Sequence, residues 1–182
     1  MFFGDIDNPI GIDISDVSVK LVQFNRRNGK LEVAAYSDVP LPSGLVENDI
    51  VENEEGLVSF LKGIFRNKTY QTGKLKGRSI VVSIPESKAF VRVINLPRLG
   101  PNELLTAVPL EAEQYIPIPI DQMQIDWQVV GETRNGLRVF ITATPKNYVR
   151  DILNVLKKAG LVAQSICGVS GYCQGSCSHH RQ

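Results

Sequence analysis

The sequence predicts a mixed α/β (α+β) chain made of two small units, and three observations predict it. The first third alternates short apolar runs with tight turn signals, the mark of a strand meander. Around residues 57–65 and 149–156 apolar residues recur instead at the helical period. From residue 85 an order of strand, helix, hairpin and helix begins afresh, as in a small α+β unit appended to or inserted in the one before it. On this reading residues 1–84 and 161–166 form the first unit, 85–160 the second, and 167–182 an irregular tail.

The first unit opens with strands "IGIDI" (10–14) and "SVKLVQF" (18–24). In the second of these, Val19, Leu21 and Gln23 face one way while Lys20, Val22 and Phe24 face the other. "NRRNGK" supplies a hairpin turn into "LEVAAYSDV" (31–39), which Pro40 and Pro42 end. Leu57, Phe60, Leu61, Ile64 and Phe65 then share one helical face. Asn53 is placed as its N-cap, and Glu54 and Glu55 suit the positive end of the helix dipole. After a polar connection (67–77), "RSIVVSI" (78–84) is a nearly continuous apolar run, expected to be a strand buried on both faces.

The second unit starts with strand "AFVRVINLP" (89–97). A helix follows from residue 100 with Leu104, Leu105, Val108, Ala112 and Tyr115 on one face and Pro101 in its first turn. Pro109 conflicts with a straight helix, since an interior proline costs about 3 kcal/mol, so a bend is expected near residue 106. "YIPIPI" (115–120) has to be extended and irregular, and its apolar side chains must pack somewhere. "QIDWQVVG" and "LRVFITATP" flank "ETRNG", whose Asn135-Gly136 pair is the strongest hairpin signal in the chain. A last helix (146–159) buries Val149, Ile152, Leu153 and Leu156, with Gly160 as its C-cap, and "LVAQSI" (161–166) starts a strand.

Composition excludes several functions. The 182 residues are 43% hydrophobic and 21% charged, ordinary for a globular protein, and 20 basic against 19 acidic residues leave a net charge of +1. No basic stripe suits nucleic acid; "NRRNGK" and "GKLKGR" both read as solvated turn charge. No run approaches the roughly 18 apolar residues of a membrane span, and the N-terminus lacks a secretory pattern, so the chain is expected in the cytosol. All three cysteines (Cys167, Cys173, Cys177) and both histidines lie in the last 16 residues. No catalytic Ser-His-Asp or Cys-His set can therefore form in the body of the chain. The spacing C-x5-C-x3-C-x-H-H fits no common zinc pattern, and no C-x-x-C redox pair is present. The tail is expected to be disordered or read out of frame, with no catalytic and no metal-binding residues.

One stretch does suggest chemistry. Between the first two strands Asp13, Ser15, Asp16 and Ser18 line a tight turn just before Lys20. A phosphate-binding turn or an ordinary hairpin would each account for it.

The order "GIDISDVSVKLVQF", "VAAYSDVPLPSGLVENDIVEN", "RSIVVSIP", "VRVINLPRLGPNEL" and "LEAEQYIPIPIDQMQIDWQVVG" strongly resembles the type IV pilus assembly protein PilM family. Its most specific part is 111–129, and it covers residues 10 to about 164. That family belongs to the actin-like ATPase superfamily, close in fold to the cell-division protein FtsA. The resemblance implies the first lobe of an actin-like ATPase with an inserted small strand-helix-hairpin-helix subdomain. It also implies that this sequence matches only about half of such a protein.

In the family the first turn holds the β- and γ-phosphates of ATP, with Mg. Carried over, Asp13 would orient a hydrated metal, Ser15, Asp16, Val17 and Ser18 would form the cradle, and Lys20 would add positive charge. Ser15 stands where the family has glycine, and Asp16 adds negative charge beside a polyanion, at a cost of roughly 1–4 kcal/mol at about 4 Å. With half of the nucleotide site outside the resemblance, the expectation is that this chain binds no cofactor. The family's scaffold role implies another partner: the cytoplasmic N-terminal tail of the inner-membrane protein PilN, an extended apolar peptide, together with other pilus-assembly proteins. By resemblance its groove lies between the first and the inserted subdomain. Tyr115, Ile116, Pro117, Ile118 and Pro119 are the candidate wall. Membrane association would then come only through the partner, at the bacterial inner membrane. Two alternatives are an actin-like ATPase completed by a second chain, and an FtsA-like division protein.

Overall fold

In this computed structural model residues 8–67, 71–168 and 173–174 are described. The chain runs β1 (Ile10–Ile14), β2 (Ser18–Arg27), β3 (Lys30–Pro40), β4 (Val46–Glu47), β5 (Ile50–Val51), α1 (Glu54–Arg66), β6 (Thr72–Gly73) and β7 (Ser79–Ile84). It continues through β8 (Phe90–Leu96), α2 (Pro101–Ala112), β9 (Met123–Thr133), β10 (Gly136–Pro145), α3 (Lys146–Lys158), β11 (Val162–Gly168) and β12 (Cys173–Gln174). Two compact units result: Met1–Pro85 with Asp151–Gln182, and Glu86–Arg150. The second division falls inside α3, whereas the sequence reading placed it after that helix, at residue 160. No helix among the described residues is long and apolar enough to cross a membrane.

The first unit is built on a sheet of order β12-β11-β7-β1-β2-β3-β6. β1 pairs antiparallel with β2, setting Ile12 opposite Leu21, and parallel with β7, which in turn pairs parallel with β11. Alternation does what the sequence reading expected in β2: Val19, Leu21 and Gln23 are buried, with Ile10, Ile12 and Ile14 beside them. The buried stripes Leu57, Leu61 and Ile64 of α1, and Ile152, Val155 and Leu156 of α3, supply apolar partners for a face of this kind. Asn53 caps α1 by accepting the Gly56 N–H at 2.8 Å. Gly160, at φ 78°, ends α3, with its N–H on the Lys157 carbonyl and the Leu161 N–H on that of Leu156. Gln23 is buried because its amide is fully used: Nε2 donates to the Lys76 carbonyl and Oε1 accepts the Lys76 N–H, both at 2.8 Å.

The other face of this sheet departs from expectation. β7 is buried only at Ile80, Val82 and Ile84; Ser79, Val81 and Ser83 are half-buried. Lys20, Val22 and Phe24 share their side with Asp38, Tyr36 and Val33, which stand opposite them in register. Phe24, Val33 and Tyr36 are 43%, 57% and 53% exposed. An apolar run in sequence shows that a strand is central but does not show which of its faces is covered.

The second unit is a three-stranded antiparallel sheet, order β8-β10-β9, against α2. Ile94, Leu96, Val139, Ile141, Ala143 and Met123 meet Leu104, Val108, Ala112 and Ile116 in one core. Leu105 is 62% exposed, contrary to the sequence reading, because a stripe centred on residues 104, 108 and 112 leaves its neighbour about 100° away. Pro109 is tolerated within α2, one turn before its end, where it forfeits only the bond to the Leu105 carbonyl. The β9–β10 connection is Arg134–Asn135, and neither Asn135 nor Gly136 has positive φ. Gly136 is glycine for another reason: a Cβ there would overlap the Leu96 carbonyl oxygen and lie 3.0 Å from its carbon.

The tail was expected to be irregular from residue 167. β11 instead runs through Gly168, and Cys167, disulfide-bonded, stands opposite Cys173 in the β11–β12 ladder. Cys177, His179 and His180 lie outside the described residues, as do 68–70 of the polar connection and the N-terminal segment 1–7.

Candidate functional site

The turn between β1 and β2 is closed largely on itself. The Ser15 N–H donates to the Ser18 carbonyl at 3.0 Å, the Ser15 hydroxyl donates to the same oxygen at 3.1 Å, and the Ser18 N–H returns to the Ser15 Oγ at 3.3 Å. Asp16 turns away to the β4–β5 hairpin, where its carboxylate accepts the N–H groups of Asn48 and Asp49 at 2.7 and 2.8 Å. Those two residues hold φ of 51° and 58°, a left-handed turn that Asn and Asp tolerate well. Val17 is 72% exposed at the tip, and its carbonyl accepts the Leu41 N–H. Asp16 is therefore a brace, a role set by a loop 32 residues away that local spacing could not disclose.

Asp13 and Lys20 stand opposite each other in the β1–β2 ladder, and Asp38 flanks Lys20 from β3. Asp13 and Lys20, with Gly11, Val22, Val81, Ser83 and Cys167, line a concavity of about 250 Å³. That is below the roughly 300–1,000 Å³ of small-molecule pockets, and in its lining the one ammonium, Lys20, is matched by the Asp13 carboxylate, which does not favour a polyanion. The residues expected to hold ATP and Mg therefore do not fit that group as they stand here. Among the described residues no set of three or more His, Cys, Asp or Glu side chains is placed to hold a metal.

The second candidate lies in unit two. Ile116, expected as a wall residue, belongs to the core at 6% exposure and offers no surface. Pro117, Ile118 and Pro119 are exposed. Tyr115 is half-buried; its hydroxyl donates to the Glu111 carboxylate at 3.2 Å, and the Arg92 guanidinium sits 4.0 Å from its ring centre. This is cation–π geometry, and it joins β8 to the segment after α2. Arg92 was not singled out by sequence reasoning, although a lone arginine in an apolar strand is a signal worth following. Asp126 was missed as well. Burial raises its carboxyl above the ordinary value of 3.8, and the Trp127 N–H, donated at 2.9 Å, partly offsets this.

Residues 11–179 match the family model of the type IV pilus assembly protein PilM. The chain belongs to the PilM family. The match runs beyond residue 164, where the sequence resemblance was taken to stop, and includes β11 and β12. A chain in the solved structure of a PilM–PilN type IV pilus biogenesis complex superposes with a TM-score of 0.72 at 25% identity, over 86% of this chain and 46% of that one. The cytoplasmic domain of EpsL, an inner membrane component of the type II secretion system of Vibrio cholerae, shares the fold at a TM-score of 0.57 and 14% identity. That match covers 88% of this chain and 56% of the EpsL domain. This PilM-family chain thus spans about half the length of the chains it matches.

Proposed function

We propose that this chain is a non-catalytic scaffold of type IV pilus assembly that binds the cytoplasmic N-terminal tail of PilN. Its likeness to a chain of a PilM–PilN complex over 86% of its length carries the reading. The exposed run Pro117, Ile118 and Pro119 supplies an apolar surface of the kind an extended apolar tail needs, with Tyr115 beside it. In this reading attachment at the inner membrane comes through PilN; no helix among the described residues is long and apolar enough to cross a membrane. Replacing Ile118 with Asp should weaken capture of a PilN tail peptide at least tenfold, measured by fluorescence anisotropy on protein whose circular dichroism is unchanged. Unaltered affinity would remove the 117–119 segment from the site.

Catalysis is no part of this reading. The self-closed turn, the outward role of Asp16 and the small concavity all weigh against a working nucleotide site. Millimolar Mg-ATP should leave the melting temperature unchanged; a rise of several degrees would favour an ATPase completed by a second chain.

A further inference from the structure

Beyond Gln23 and Ala35, where pairing with β1 and β6 ends, β2 and β3 continue together as a two-stranded ribbon. The pairs Phe24↔Val33, Asn25↔Glu32, Arg26↔Leu31 and Arg27↔Lys30 lead to a tight turn at Asn28 and Gly29, with φ of 51° and 77°. Every residue from Phe24 to Val33 is exposed. Alternation sets Phe24, Arg26, Leu31 and Val33 on one face of the ribbon, and Leu31 is 66% exposed.

The two basic turns, far apart in sequence, meet at this end of the sheet. The Gln23 amide at the base of the ribbon holds the main chain of Lys76 through two hydrogen bonds of 2.8 Å. Lys74, Lys76 and Arg78 are thereby brought to the end that carries Arg26, Arg27 and Lys30, and all six are exposed. Residues 23–36 and 71–78 hold these six basic residues and one acid, Glu32. Of 20 basic and 19 acidic residues in the chain, 14 and 18 are left for everything else, so a nearly neutral protein gathers its positive charge here.

We propose that this ribbon is a membrane-surface contact, which lays Phe24, Leu31 and Val33 against an anionic bilayer while the surrounding basic side chains reach lipid phosphates. Apolar side chains ringed by Lys and Arg are what an anionic lipid surface attracts, and the arginine stems can lie along apolar surface with their heads at the phosphates. A second copy would set the same six cations against this set, which disfavours self-association. Leu31 and Val33 offer no ring for a nucleobase to stack on, which disfavours single-stranded nucleic acid. The contact is additional to any made through PilN and does not depend on it.

The test mixes the full chain with vesicles of phosphatidylcholine, alone or with phosphatidylglycerol added, and reads the bound fraction by flotation. The chain should float with the anionic vesicles only, and added salt should release it. Arg26→Gln with Arg27→Gln should weaken binding by about tenfold or more, at about fivefold for each charge lost. Leu31→Ser should weaken it about fivefold or more through lost apolar burial. Glu32→Gln removes the one acid and should strengthen binding about fivefold, a gain that a damaged fold could not give. No flotation, or equal flotation with both vesicles, overturns the proposal. Indifference to Leu31→Ser also overturns it, since the surface would then be a site for charge alone. Binding to duplex DNA that the double arginine variant abolishes, with no flotation, assigns the basic end to nucleic acid and overturns it too.

Discussion

Replacing Gly136 with alanine tests the packing reason given for that glycine. The new Cβ would press on the Leu96 carbonyl, lying 3.0 Å from its carbon and 3.2 Å from the Pro97 Cα, and all three of these nearest atoms belong to the backbone, which cannot swing aside as a side chain can. Leu96 is held by its pairing opposite Leu137, so either the end of β8 or the start of β10 must move. Overpacking of this sort costs about 1–3 kcal/mol. Alanine also restricts the unfolded chain, which returns about 0.4–1 kcal/mol. A clash with backbone belongs in the upper part of that overpacking range, about 2–3 kcal/mol, so the net expectation is a loss of about 1–2.6 kcal/mol, or about 2–10 °C in melting temperature for a chain of this size. Gly131→Ala is the control: nothing lies within 4 Å of its Cβ direction, and it should melt within a degree or two of the parent. Thermal melts followed by circular dichroism read both. If the residue 136 variant were as stable as the parent, the carbonyl of Leu96 would be free to yield and the argument from close approach would fail.

Two further outcomes follow from the same geometry. Asp16→Ala leaves the Asn48 and Asp49 N–H groups to water and should cost about 1 kcal/mol, with faster hydrogen exchange confined to residues 46–51; uniform slow exchange there would show that the brace is idle. Asp126 holds its proton more tightly when folded than when unfolded, so its charged form disfavours the fold at neutral pH. The associated stability is full below 3.8 and is lost as pH rises through the raised folded value. Asp126→Asn should therefore raise the melting temperature at pH 7, and the gain should vanish as pH falls below 3.8; a gain independent of pH would point to a cause other than ionisation.

What the sequence disclosed was local. The Asn53 cap, the Gly160 stop and the alternation of β2 each depend on neighbours within a few residues, and all three are present in the structure. Decisions made at a distance were hidden. The hairpin marked by Asn135-Gly136 is present, but the close approach of Gly136 to the end of β8, forty residues earlier, could not be read from it. Ile116 and Ile118 are indistinguishable in "YIPIPI"; packing under β8 and β10 chose the first for the core and left the second outside. Asp16 could be read only as a ligand or a liability, since nothing nearby announces the loop it supports. The family itself was legible, because a segment as unusual as residues 111–129 carries more information than any periodicity.

The uncovered side of the larger sheet has a practical consequence. Phe24, Val33 and Tyr36 make a greasy panel open to water, the sort of surface that gathers dyes, detergents and any oily peptide offered to it. A titration with a hydrophobic ligand will register that adhesion as background. A Tyr36→Lys protein, altered on this panel and untouched elsewhere, sets the baseline from which specific capture should be measured.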